Sequence, residues 1–342
     1  MSEVKNSANT IDFYNGLFIT RPTADDDEKL LTDQPKKKNM KRTLLALVFA
    51  LTTIGAKAND TTFYFTTSDA VKLYVRVAGQ GDPCLFVHGG PGSTSYYFEA
   101  MPSAKLLEQH LKLVYFDQRG SGRSGSPIDS NYTRARFSKD IEELRGFLKV
   151  KKWDVMGHSF AGILLTDYAT RYPLSIRSLL YINATVDIKS SMESHVNFGI
   201  KELGLSDSFY TNLSVPVEQR VWKVHEKLSE KDLWYKLMYR NAFEKKLNDS
   251  VTLLIGKFNR DFASKVWGIP EFSTNMSKLT SNIKMPVFVM TGDRDFAIGI
   301  DHYKRYQFPN KKIVHYIGGH APFQEEPQWF AEKVIDFISA LH

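Results

Sequence analysis

A mostly parallel α/β sheet with helices on both faces is the fold class this sequence predicts. Three observations carry the prediction. Short apolar runs alternate with helical apolar periods along most of the chain, several of those runs end in glycine-rich loops, and 342 residues are enough for one large core plus an insertion. Such alternation buries a parallel sheet between two helical layers.

The elements follow in order. Residues 62–66 and 71–77 alternate apolar and polar side chains around Ser68-Asp69-Ala70, which predicts a hairpin. Residues 84–88 form an apolar strand running into Gly89 and Gly90, and residues 113–117 form another ending before Gly120 and Gly122. Ile141, Leu144, Phe147 and Leu148 share one face of a helix. Residues 153–156 predict a strand, and Ile163, Leu164 and Tyr168 begin a helix straight after it. Further strands are predicted at 179–182, 287–290 and 313–316, and Phe330, Val334, Phe337, Ile338 and Leu341 stripe a closing amphipathic helix.

The regularity breaks between 187 and 284, so the core divides into 59–186 and 285–342 around a helical insertion. The insertion has helical periods only. Val217, Val221, Val224 and Leu228 form one stripe, entered through Pro216. Aromatics crowd there, with Trp222, Trp234, Tyr235, Tyr239, Phe243, Phe258, Phe262, Trp267 and Phe272. Rings on helices are core by default; the functional reading is a lid lending some of them to a pocket.

Bulk composition narrows the function classes. The net charge of +7 forms no basic stripe with interleaved aromatics, so no nucleic-acid partner is expected. The single cysteine, Cys84, permits neither an internal disulfide nor a cysteine metal site, and its apolar setting reads as a small buried hydrophobe. No H-E-x-x-H pattern occurs, and neither metal nor cofactor is expected.

Residues 40–58 have the form of a secretory signal peptide: Lys41 and Arg42, a short apolar stretch, then Ala56-Lys57-Ala58 before Asn59. The expected product is exported, periplasmic or extracellular, with no stable membrane association after cleavage. The polar segment 1–39 is expected to be disordered or to precede the true start at Met40. A cytoplasmic tail on a signal anchor, or an ordinary helix at 40–58, are the alternatives.

Gly157-His158-Ser159-Phe160-Ala161 follows a predicted strand and opens a helix. That turn admits only small residues two places either side of a nucleophile, as Gly157 and Ala161 are, and lifts the Ser159 hydroxyl at the sheet's carboxyl edge. A serine needs a base, and His320 sits in the loop Gly318-Gly319-His320 after the last strand. The base needs an acid to fix its tautomer. Asp295 follows strand 287–290 and is the first choice, with Asp293 and Asp187 as alternatives. The order serine, aspartate, histidine is the one the α/β-hydrolase fold uses. An oxyanion requires two backbone N–H donors. Phe160 offers one, and Gly90, or failing that Gly89, offers the other.

His88-Gly89-Gly90-Pro91-Gly92 together with Asp117-Gln118-Arg119-Gly120-Ser121-Gly122-Arg123-Ser124 resembles the proline iminopeptidase family of α/β-hydrolases. The resemblance runs from about residue 63 to the end and is weak in the insertion. It implies a metal-free serine exopeptidase acting on short peptides, with Asp117 and Arg119 shaping the loop beside the nucleophile. The sequence departs from the family at His158, where glycine is usual, and matches its Trp-x-x-Trp-Glu lid motif only in part at Trp222-Lys223-Val224-His225-Glu226. Glu226 is the candidate to pair with a substrate amine. An esterase or lactonase on the same residues is the alternative enzyme, and a non-catalytic ligand-binding protein is the alternative of another class.

Overall fold

The computed structural model describes residues 60–256 and 258–341. The signal-like stretch 40–58 and the segment 1–39 lie outside them. Eight strands form one sheet: β1 (Thr61–Thr66), β2 (Lys72–Gly79), β3 (Asp82–Val87), β4 (Leu111–Phe116), β5 (Trp153–Ser159), β6 (Ile176–Ala184), β7 (Val287–Gly292) and β8 (Lys311–Tyr316). Their order is β1-β2-β4-β3-β5-β6-β7-β8. The hairpin β1–β2 pairs antiparallel with Phe63 opposite Val75, β2 meets β4 antiparallel, and every later pairing is parallel.

Period-two alternation sorts the strand residues between two cores. Leu85, Val87, Val155, Leu179, Val287 and Val289 face one side, against helices α1 (Arg134–Phe147) and α2 (Ala161–Arg171). Cys84, Phe86, Met156, Leu180, Phe288 and Met290 face the other, against Pro102–Leu107 and the closing helix, whose Phe330, Val334, Phe337 and Ile338 are buried. Central strands covered on both faces therefore carry continuous apolar runs, whereas the edge strand β8 exposes Lys311, Lys312 and His315.

Between β6 and β7 stands the helical insertion. Helices α3 (Ile188–Leu203) and α4 (Val217–Glu230) pack together around Val196, Val217, Val221, Val224 and Leu228, a small core of their own. Helix α5 (Ala242–Leu253) follows, and then short turns to Asn282. The closing helix, Pro327–Ser339, is α6.

Two expectations need correction. Phe147 is 57% exposed and packs only laterally on Phe63 and Phe65, because α1 ends there and its last turn overhangs the hairpin. The insertion is not helical throughout, since Asn259 forms an isolated antiparallel bridge with Gly122. As expected of rings that are core by default, only some of the insertion's aromatics serve it. Phe262 and Phe272 turn back into the main core around Phe137 and Phe160, and Phe243 is exposed.

Candidate active site

The carboxyl ends of β3, β5, β7 and β8 bring four loops together, the edge where parallel sheets place their ligand sites. The turn after β5 holds Ser159 at φ +58°, a left-handed conformation that costs a non-glycine residue energy and persists only where the surroundings enforce it. Enforcement comes from both flanks. A side chain at Gly157 would place its Cβ 2.6 Å from Leu165 Cδ1 and 3.0 Å from Ala161 Cβ, so the turn closes only over small residues.

The loop after β3 crosses directly over this turn. A Cβ on Gly89 would lie 2.8 Å from Ser159 Cβ, so glycine alone lets the two backbones approach. The Gly89 N–H is committed to Tyr97 Oη at 2.9 Å. Among the described residues, the Gly90 and Phe160 N–H groups have no such partner. That leaves Gly90 rather than Gly89 as the candidate oxyanion donor. Phe160 also opens helix α2, whose N-terminal dipole adds to the field.

His320 Nδ1 stands 2.9 Å from Asp295 Oδ2, and both side chains are 1% exposed. The other Asp295 oxygen accepts from the N–H groups of Ala297 (3.0 Å) and Ile298 (3.2 Å). The two alternative acids are engaged elsewhere. Asp293 accepts from the Gly318 N–H, and Asp187 caps α3 while pairing with Arg305 and Asn275. The His320 loop is pinned on several sides: its own N–H donates to Met238 O in the insertion, and Gly319 donates to Glu325. Asn183, at the end of β6, donates to Gly319 O and accepts from Gly292 N–H, tying the acid and base loops together.

His158 has a definite task in this arrangement. Its Nε2 faces the carbonyl of His320 at 2.9 Å, and a carbonyl only accepts, so Nε2 carries the proton. Burial holds the ring well below the ordinary histidine pKa, hence neutral. Its Nδ1 therefore accepts from Tyr97 O–H at 2.9 Å, and Tyr97 in turn accepts from Gly89. One relay joins the Gly89 loop to the His320 loop behind Ser159. Tyr97→Phe leaves the Gly89 N–H and His158 Nδ1 unpaired in a buried place, at about 1–3 kcal/mol. The expected result is a kcat lowered about tenfold with KM changed less, read from steady-state kinetics beside a melting curve. A lowered melting temperature with unchanged kcat would make the relay merely structural.

The Asp117–Ser124 segment acts as support. Buried Asp117 accepts from Thr94, Ser95 and Arg123, with Arg123 Nε at 2.7 Å. Burial alone pushes the Asp117 carboxyl up, but the Arg123 guanidinium outweighs it and holds the pKa below the usual range. Arg119 is fully buried between Asp140 (2.6 Å) and Asp69 (2.9 Å). His88 is neutral too, pushed down to about 4 by burial; it accepts from the Gln118 N–H and so joins the two glycine loops.

Ser159, His320, Gly90 and Phe160 all line one cavity of 430 Å³, roofed by the insertion through Trp222, Trp234 and Trp267. Glu226 is among the residues that line this cavity. Its side chain is 45% exposed and paired with Lys223 at 2.8 Å, one helical turn away on the solvent face. The expectation of a dry, free carboxylate at 226 is thus corrected. The sequence reading missed Tyr97, Asn183 and Glu325, whose roles depend on contacts 6 to 136 residues apart in the chain.

Comparison with known proteins bears on the fold. Residues 82–220 match the family model described as alpha/beta hydrolase fold. The chain is 23% identical over 273 residues to a proline iminopeptidase of Heyndrickxia coagulans, covering 77% of this chain and 92% of that one. Among solved structures, a proline iminopeptidase-related protein of Thermus thermophilus superposes with TM-score 0.68 at 19% identity, covering 82% and 98% of the two chains. An esterase from Exiguobacterium antarcticum superposes with TM-score 0.63 at 16% identity, covering 82% and 100%.

Proposed function

We propose, for a chain that has the α/β-hydrolase fold and proline iminopeptidases among its relatives at modest identity, a serine hydrolase that cleaves an amide or ester through an acyl-enzyme. The observation that carries the reading is Ser159 held at φ +58° in the same cavity as a buried His320–Asp295 pair. In this reading His320 accepts the serine proton as Oγ attacks the carbonyl, and Asp295 stabilises the imidazolium that forms. The Gly90 and Phe160 N–H groups receive the developing oxyanion. His320 then returns the proton to the leaving group, and water releases the acyl group by the same route.

The substrate reading is an aminopeptidase for short peptides, of the kind named in the relatives. The test is a small panel: prolyl 4-nitroanilide, its N-acylated form, and short 4-nitrophenyl esters. Cleavage of the free amine and not of the blocked one is expected. If blocked and free substrates react alike, or only esters react, the esterase reading replaces the peptidase one. The esterase neighbour by structure makes that second reading worth the same experiment.

Export belongs to the same proposal and rests on the stretch 40–58. Expressed with export machinery, the protein is expected outside the cytoplasm with Asn59 first, as read by intact mass. A membrane-bound product retaining residues 1–58 contradicts it.

A further inference from the structure

Two histidines of the insertion line the cavity and bond to each other. His195 on α3 and His225 on α4 approach at 2.9 Å, Nδ1 to Nε2, and His195 Nε2 lies 2.7 Å from the carbonyl of Ala297. The carbonyl only accepts, so His195 Nε2 carries a proton. Burial pushes the His195 pKa down to about 4, and burial with the neighbouring His195 pushes that of His225 down to about 3, so both rings are neutral near pH 7. A neutral His195 has its lone pair on Nδ1 and must accept from His225 Nε2–H. The remaining nitrogen, His225 Nδ1, is then an acceptor, and among the described residues it has no hydrogen-bond donor.

The relay is anchored at its far end. Ala297, whose carbonyl fixes His195, gives its N–H to Asp295. The tautomer of His225 is thus set by the loop that carries the acid of the site, and Trp234 stands edge-on to the ring at 6.0 Å, limiting its rotation. Around this acceptor the cavity is largely apolar, with Met192, Val221 and Trp234 among its walls. Of its carboxylates, Asp249 is paired with Lys245 and Glu226 with Lys223, which leaves Glu218. A preset acceptor in a largely apolar chamber favours a ligand group that donates.

We infer that His225 Nδ1 is a substrate subsite, accepting a hydrogen bond from an ammonium or hydroxyl carried on the acyl portion of the substrate. The inference rests on the hydrolase reading above and names the residue that selects the acyl group. It also assigns recognition to the imidazole beside Glu226 rather than to that exposed carboxylate.

The test uses 4-nitrophenyl esters matched in size: glycyl, glycolyl and propanoyl, and the homologues of each with one more methylene. In the wild type, the donor-bearing acyl group is expected to exceed its methyl counterpart in kcat/KM by about 10- to 100-fold at one of the two lengths. A higher rate for the glycyl series identifies an ammonium, and a higher rate for the glycolyl series a hydroxyl. His225→Phe keeps a ring but removes the acceptor, and is expected to bring the ratio near one. Equal wild-type rates on donor and methyl esters, with turnover lost in Ser159→Ala, overturn the subsite and leave the hydrolase standing. A preference that survives His225→Phe overturns it as well. If no ester is turned over and Ser159 takes no serine-directed label, the hydrolase reading falls and this inference with it.

Discussion

Ser159→Ala is expected to lower kcat by about 10⁴-fold or more on any substrate the protein cleaves, while the fold survives. The size of the loss follows from what remains. Without Oγ no acyl-enzyme forms, and His320, Asp295 and the Gly90 and Phe160 donors retain only the weak catalysis of binding and charge stabilisation. The fold survives because the change deletes one oxygen at a position partly open to the cavity, with no core contact to repack. Alanine suffers the same left-handed strain as serine at φ +58°, so the melting temperature is expected to move by only a few degrees. Steady-state rates on the active member of the ester and anilide panel, beside a melting curve, check both halves. Activity retained within tenfold in a folded variant removes Ser159 from the mechanism.

Acid is expected to unfold the protein well before its carboxylates are all protonated. Five buried histidines are held neutral: His88 and His195 are pushed down to about 4 by burial, His225 and His302 to about 3, and His158 well below the ordinary value. In the unfolded chain each titrates near 6.5. Between those values the unfolded state binds protons that the folded state refuses, so stability falls as pH falls. Above about 6.5 the full stability is present; below it each histidine removes up to about 1.4 kcal/mol per pH unit. Against a total stability of roughly 5–15 kcal/mol, a few such groups suffice. The melting temperature is expected to drop by about 10 °C or more between pH 7 and pH 5. A flat melting temperature across that range means that these rings are accessible to protons in the folded state.

Much of the site was legible because its chemistry is local. The turn around Ser159 announces itself through Gly157 and Ala161, since a strand-to-helix turn that tight tolerates nothing larger. Loops after predicted strands placed Asp295 and His320 at one edge of the sheet, and the structure sets them 2.9 Å apart. The sequence favoured Gly90 over Gly89, but the physical reason for that preference was not legible. It depends on Tyr97, eight residues on, folding its hydroxyl back to take the Gly89 N–H. His158 looked like a departure from the family pattern, and its reason appears only when β5 and the loop after β8 meet. Phe262 and Phe272 could not be assigned to lid or main core because spacing cannot say which core a ring joins, and the chain after α5 returns to Phe137 and Phe160. Glu226 matched a motif, but its i,i+3 neighbour Lys223 and its solvent-facing side of α4 decide its surroundings.

The central claim is that Ser159 is an activated nucleophile, and covalent labelling tests it most directly. A fluorophosphonate reacts with a serine whose proton is accepted by a neighbouring base and whose adduct oxygen is held by N–H donors. Incubated with the folded protein, the reagent is expected to add once per chain. Peptide mass mapping should place the adduct on Ser159, and it should be lost in Ser159→Ala and strongly slowed in His320→Ala. A folded protein that takes no label, or takes it on another residue with Ser159 unmodified, contradicts the account.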